Sequence, residues 1–143
     1  MTAADKQYNQ ACNVLLRIAL YCKKIEQLML AYTDPDAFEY SDFWIKDSVA
    51  MNLQQIGEEA SEQHAGAAGL REKYAAEIPW QDWADFRNVL THNYGVIDYR
   101  LVWEIATNEV PEIYEQVDKI LRSMKPNYMN DIQEILKAPK NGK

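Results

Sequence analysis

Residues 4–32 read ADKQYNQACNVLLRIALYCKKIEQLMLAY, and the spacing of the apolar positions within them decides the fold class. Tyr8, Ala11, Leu15, Ile18, Cys22, Ile25, Met29 and Tyr32 recur at alternating steps of three and four, the period of one face of an α-helix. The stripe is about seven turns long. It predicts a first helix from about Ala4 to Tyr32 with its apolar side in a core or an interface. Arg17, Lys23, Lys24 and Glu26 fall off the stripe and are expected on a solvated face. Thr33-Asp34-Pro35-Asp36 breaks the helix, and a loop is expected as far as Ser41.

The same period continues down the chain. Ser41 or Asp42 can cap a second helix reaching about His64, with Ile45, Val49, Leu53, Ile56 and Ala60 inward. Gly57 inside it costs about 1 kcal/mol against Ala, and is expected where another helix backbone comes close. Of the two carboxylates that follow, Glu59 is expected in solvent and Glu58 near the arginine or histidine discussed below. His64 suits a helix C-terminus, where the dipole favours it, and reads as structural. The segment from Leu70 to Ile78 reads as a short helix or an irregular turn. Trp80, Trp83 and Phe86, spaced by three after Pro79, predict a third helix from about Trp80 to Asn93, with Gly95 at its exit. Asp98 can cap a fourth that carries Val102, Ile105, Ile113, Val117, Ile120 and Leu121 inward. Pro111 should kink that helix or split it at Asn108, and Pro126 should stop it before a short last helix over Asn127 to Leu136. No strand-like alternation, repeat, low-complexity run or linker interrupts the pattern. The expectation is an all-α, antiparallel bundle of four main helices with short extra helices, one domain over residues 1–143.

Composition sets the functional bounds. A hydrophobic fraction of 48% over 143 residues fits a folded chain with one substantial core. The formal net charge of −7 argues against a general nucleic-acid coat, though not against a small basic site on an acidic body. Lys119, Arg122, Lys125, Lys137, Lys140 and Lys143 form the one basic run, a solvated tail or a loose electrostatic guide for RNA. Cys12 and Cys22 lie ten apart with no C-x-x-C, so structural zinc is not expected and both read as buried thiols. The polar N-terminus resembles no signal peptide, and no run approaches the ~20 apolar residues of a membrane span. A soluble, cytoplasmic protein without metal or cofactor is expected.

The chemistry concentrates in Phe86-Arg87-Asn88-Val89-Leu90-Thr91-His92-Asn93-Tyr94. A free imidazole titrates near pH ~6.5 and can take or give a proton at neutral pH. A guanidinium presents a planar fork matching two phosphate oxygens, and a phenol can donate to a third. Together they can deprotonate an RNA 2′-hydroxyl and stabilise charge at phosphorus without a metal. On a regular helix Tyr94 and Thr91 return to the face of Arg87, whereas His92 lies roughly 140° away. His92 sits instead one turn past Asn88, which can orient the imidazole. Either the last turn unwinds before His92, or Arg87 and His92 meet across a symmetric partner. The bland reading is an ordinary helix-end histidine and an arginine paired with a carboxylate.

Arg87-x4-His92-x-Tyr94 resembles the signature of the HepT-like ribonucleases, a branch of the HEPN superfamily of toxin and defence nucleases. Gly95-Val96-Ile97-Asp98, Trp103 and Ile56-Gly57-Glu58-Glu59-Ala60 resemble that family as well. The resemblance implies a HEPN-type bundle and a homodimer with a composite site at its interface. It implies a toxin that cleaves RNA, with His92 as general acid/base and Arg87 as phosphate clamp. Asn88, Tyr94 and Glu58 would support them. It also implies that a cognate minimal nucleotidyltransferase antitoxin transfers AMP to Tyr94. A dimer would answer the poor Arg87–His92 alignment and supply a second histidine to one cleft. Trp80, Trp83 and Trp103 fit either that interface or the core. The alternative is a non-catalytic HEPN-type partner or nucleotide-binding subunit of a small nucleotidyltransferase.

Overall fold

A computed structural model describes residues 1–89 and 96–137. Every regular element among them is helical: α1 (Ala3–Met29), α2 (Pro35–Glu39), α3 (Phe43–Glu59), α4 (Leu70–Lys73), α5 (Trp80–Val89), α6 (Tyr99–Glu104), α7 (Val110–Met124) and α8 (Tyr128–Lys137). The fold is the all-α antiparallel bundle expected. Its main members are α1, α3, α5 and the run from α6 through α7. Thr2 starts α1 with a capping box, its hydroxyl accepting from the Asp5 amide at 3.1 Å while Asp5 accepts from the Thr2 amide at 3.2 Å. The predicted stripe then closes the core: Leu15, Ile18, Cys22 and Ile25 are buried against α3 and α7. Each such side chain contributes about 1.5–3 kcal/mol on leaving water. Tyr8, the first member of the stripe, is instead exposed, its hydroxyl donating to the Met124 carbonyl at 3.0 Å. Burial holds the Cys22 thiol well above its ordinary pKa, whereas Cys12, also expected buried, is only partly so.

Three expectations need correction and one takes a form of its own. The loop over 33–41 contains α2: Asp34 caps it by accepting from the Ala37 amide at 2.9 Å, and Pro35 sits in the first turn. Its anchor is Phe38, fully buried between Tyr32 and Trp103. The second helix stops at Glu59 rather than His64, because Ser61 is extended (φ −70°, ψ 168°) and a separate π-helical turn over Glu62–Gly66 follows. The irregularity expected around Pro111, a kink or a split at Asn108, takes the form of a π-helical interruption. The ladder widens into a π-turn over Ile105–Glu109 just before the proline, which accommodates the missing N–H. The basic run is no free tail where it is described: Lys119, Arg122 and Lys125 each pair with a carboxylate (Glu115, Asp118, Asp131) on α7 and α8. Lys140 and Lys143 lie outside the described residues.

The helix that matters for the site is α5. The Pro79 carbonyl accepts from the Trp83 amide at 3.2 Å, closing its first turn. Trp80 and Trp83 point into the core, 3% and 1% exposed, and Trp83 meets Phe86 edge-on at 5.1 Å. Trp103 is partly buried against Phe38. Gly57 is what lets α5 lie down on α3. A Cβ there would stand 2.6 Å from the Trp83 carbonyl oxygen and 2.8 Å from Arg87 Cγ. The mid-helix glycine thus marks the close backbone approach that its position suggested.

Candidate active site

The register imposed by Gly57 brings Arg87 across the α3–α5 seam onto Glu58. Arg87 Nη1 donates to Glu58 Oε1 at 3.0 Å, and Nε donates to the Ala84 carbonyl of its own helix at 2.8 Å. The guanidinium is therefore fixed on two edges, while its side chain keeps 35% of its exposure. Such a group is preorganised: ordering it on a phosphate costs little extra rotamer entropy. Glu58, 40% exposed, is close enough to hold Arg87 in place and to offset part of its charge. Asn88 follows on the exposed side of α5. His92 and Tyr94 lie outside the described residues, as does the end of the motif helix beyond Val89.

A second histidine joins this cluster. His64 Nδ1 lies 3.4 Å from Glu58 Oε2, 3.0 Å from the Glu58 carbonyl oxygen and 3.3 Å from Ser61 Oγ. Its sequence position suggested a helix C-terminus. The break at Ser61 instead folds the chain back, so that a residue six further on meets Glu58. The signal in the sequence was Ser61 itself, a residue type that favours extended caps over helix interiors.

Glu59 does something different from its neighbour. It is 6% exposed, not solvated as expected, and its Oε1 forms an ion pair with Arg17 Nε at 2.9 Å across the α1–α3 seam, without hydrogen-bond geometry. Arg17, expected on a solvated face, is the cation that makes this burial tolerable. Among the described residues no group of three or more His, Cys, Asp or Glu side chains is arranged to hold a metal ion. No described helix is long and apolar enough to cross a membrane.

Comparison with known proteins puts a family to this geometry. The model of the family described as "Ribonuclease HepT-like" matches residues 18–120, more than half of the chain and all of the α3–α5 seam. This chain belongs to the HepT-like ribonuclease family. Among similar proteins, "Putative RNase MJ1216" of Methanocaldococcus jannaschii is 35% identical over 98 residues, which cover 66% of this chain and 78% of that protein. "Putative RNase MJ0125" of the same organism is 38% identical over 80 residues, covering 56% of this chain and 66% of that one. "Gamma-glutamylcyclotransferase and putative RNase MJ0434", again from that organism, is 29% identical over 106 residues, or 74% of this chain. This HepT-like chain spans only 45% of that last relative's length. No solved structure matches the chain significantly.

Proposed function

We propose that this chain is a metal-independent endoribonuclease and the toxin of a toxin–antitoxin pair, acting as one domain in the cytoplasm. The observation that carries the proposal is Arg87, fixed by Glu58 and Ala84 yet open to solvent, five residues ahead of His92 in a HepT-like chain. His92 removes the proton of an RNA 2′-hydroxyl. The 2′-oxygen bonds to phosphorus, the bond to the 5′-oxygen breaks, and an imidazolium returns a proton to that leaving oxygen. Arg87 balances the charge gathered on the phosphoryl oxygens. Asn88 orients His92, Tyr94 lines the site, and Glu58 holds Arg87.

One histidine per motif is short for a reaction that needs a base and an acid together. A homodimer about a two-fold axis brings two copies of His92 and Arg87 to one cleft. One feature of α3 supports a second copy there. Trp44, Met51 and Glu58 stand seven apart, nearly one face of the helix, and the first two are 59% and 61% exposed. An exposed apolar stripe that ends at the carboxylate holding Arg87 suits a partner seated over the site. Mixing His92→Ala with Arg87→Ala protein should restore cleavage if one site draws these residues from different chains. A strictly monomeric, active protein would overturn the composite site.

Regulation follows from Tyr94. AMP transferred to its hydroxyl by a minimal nucleotidyltransferase antitoxin fills the space of an RNA nucleotide and sets a negative phosphodiester beside Arg87. Intact mass after co-expression with that antitoxin should rise by whole AMP units, and Tyr94→Phe should abolish the rise. The alternative, a non-catalytic partner or nucleotide-binding subunit of the nucleotidyltransferase, is favoured by the net charge of −7. Purified chain incubated with RNA in EDTA separates the two: cleavage lost in Arg87→Ala supports the nuclease, and intact RNA supports the partner.

A further inference from the structure

The chain has two histidines, and the proposed reaction uses only His92. The other sits one carboxylate away from the phosphate clamp. Glu58 receives Arg87 on Oε1 at 3.0 Å and faces His64 Nδ1 with Oε2 at 3.4 Å. The tautomer of His64 follows from what surrounds that nitrogen. The Glu58 carbonyl at 3.0 Å can only accept, so Nδ1 carries the hydrogen. With Nδ1 holding its proton, a second one adds at Nε2. The side chain is 37% exposed, so water can deliver it without disturbing the bond to Glu58.

Charge then decides the consequence. Glu58 and Arg87 sum to zero while His64 is neutral, and to plus one when His64 is charged. Among the described residues, the nearby charged groups on the neighbouring elements already have partners of their own. On the elements packed around the turn, Arg17 of α1 is paired with Glu59 of α3 at 2.9 Å. Arg71 of α4 is paired with Glu62 at 3.4 Å and also reaches the Ala60 carbonyl. Among the described residues, Glu58 is the side chain that touches both His64 and Arg87. We propose that His64 is a positioning residue that acts through Glu58, freeing more of the Arg87 charge for a substrate phosphodiester when His64 is protonated. The inference rests on Arg87 being the phosphate clamp of the reading above.

The test uses the His92→Ala protein, in which His64 is the only histidine left and RNA survives to be measured in a binding assay. A dephosphorylated RNA oligonucleotide is titrated at several pH values across ~pH 5 to 8, the window in which histidine changes charge. Affinity should rise about fivefold on acidification, the scale of one added charge screened by a surface-like dielectric. Adding His64→Gln should flatten the profile at the weak end, since the amide keeps a donor for Glu58 but takes no charge. Adding His64→Lys should flatten it at the tight end, and serves as a second variant should the glutamine protein fold poorly. Adding Arg87→Ala should remove the effect of His64→Gln, which a purely structural role for His64 would not do. An unchanged profile in both His64 variants would overturn the proposal. If Arg87→Ala binds RNA as well as its parent, the clamp reading itself fails. If Arg87→Ala weakens binding while His64 is silent, only the inference fails.

Discussion

Glu58 and Glu59 are adjacent on α3, yet they belong to two different regions of the molecule. One residue is about 100° of helix, enough to turn Glu59 into the α1–α3 seam and Glu58 into the α3–α5 seam. Glu59 is buried and paired with Arg17, flanked by side chains that the core already holds. Glu58 is 40% exposed and stands between two groups that can change partners, Arg87 and His64. The first seam buries its carboxylate and leaves only the Arg17 side of the pair partly in water, so it serves the folded state. The second leaves charge where a polyanion can find it. On the proposed reading, a bundle with a net charge of −7 addresses RNA through such a local arrangement, because its overall field repels a polyanion.

The largest expected effect falls on the second region. Arg87→Ala and His92→Ala should each lower cleavage by about 10²–10⁴-fold, the range for losing an acid/base or a charge-stabilising group. Single-turnover rates beside unchanged circular dichroism measure it. Arg87→Lys should recover little, since a point charge cannot reproduce a fork held at Nε and Nη1. Full activity in Arg87→Ala would place the functional region elsewhere.

Next in size is Gly57→Ala, which strikes the backbone contact between α3 and α5. Its Cβ meets a carbonyl oxygen at 2.6 Å, and a backbone atom cannot rotate away as a side chain does. Overpacking of this kind costs about 1–3 kcal/mol, seen as a lower urea midpoint. Because Arg87 Cγ is the other neighbour at 2.8 Å, cleavage should fall by more than the lost stability accounts for. A stable and fully active Gly57→Ala would mean that α5 can lift off α3 without moving the clamp.

The two regions were unequally legible in the sequence. The 3.6-residue period of Leu15, Ile18, Cys22 and Ile25, continued by Leu53 and Ile56, gave the bundle, because burial is what periodicity reports. Gly57 was legible too, as a costly residue with a packing reason. Glu59 was not. Charge alone says solvent, and only the position beside Ile56 and Ala60 hints that this carboxylate lies at the rim of the buried stripe. Its partner Arg17 is 42 positions away in the chain, beyond any local rule. α2 is hard to read because Pro35 ends one helical pattern while Asp34-Pro35 also starts the next. His64 joined Glu58 through a π-helical turn, whose period no 3.6-residue count detects. For His92 and Tyr94, outside the described residues, the motif itself remains the source.

The smallest effects separate the two carboxylates most directly. Arg17→Ala leaves the Glu59 carboxylate, 8% exposed at its side chain, without its cation, and should cost about 1–3 kcal/mol in urea unfolding. Glu58→Gln should cost no more than about 0.5 kcal/mol, because ion pairs as exposed as Glu58–Arg87 contribute little against water. The glutamine keeps an oxygen for Arg87 Nη1, so the seam stays closed. What it removes is the negative charge beside the guanidinium. Stability should therefore barely move while the salt dependence of RNA binding steepens, the sign of one more uncompensated cation facing phosphate. Equal losses of stability in Arg17→Ala and Glu58→Gln would erase the distinction between the seams, and an unchanged salt slope in Glu58→Gln would separate Glu58 from the site.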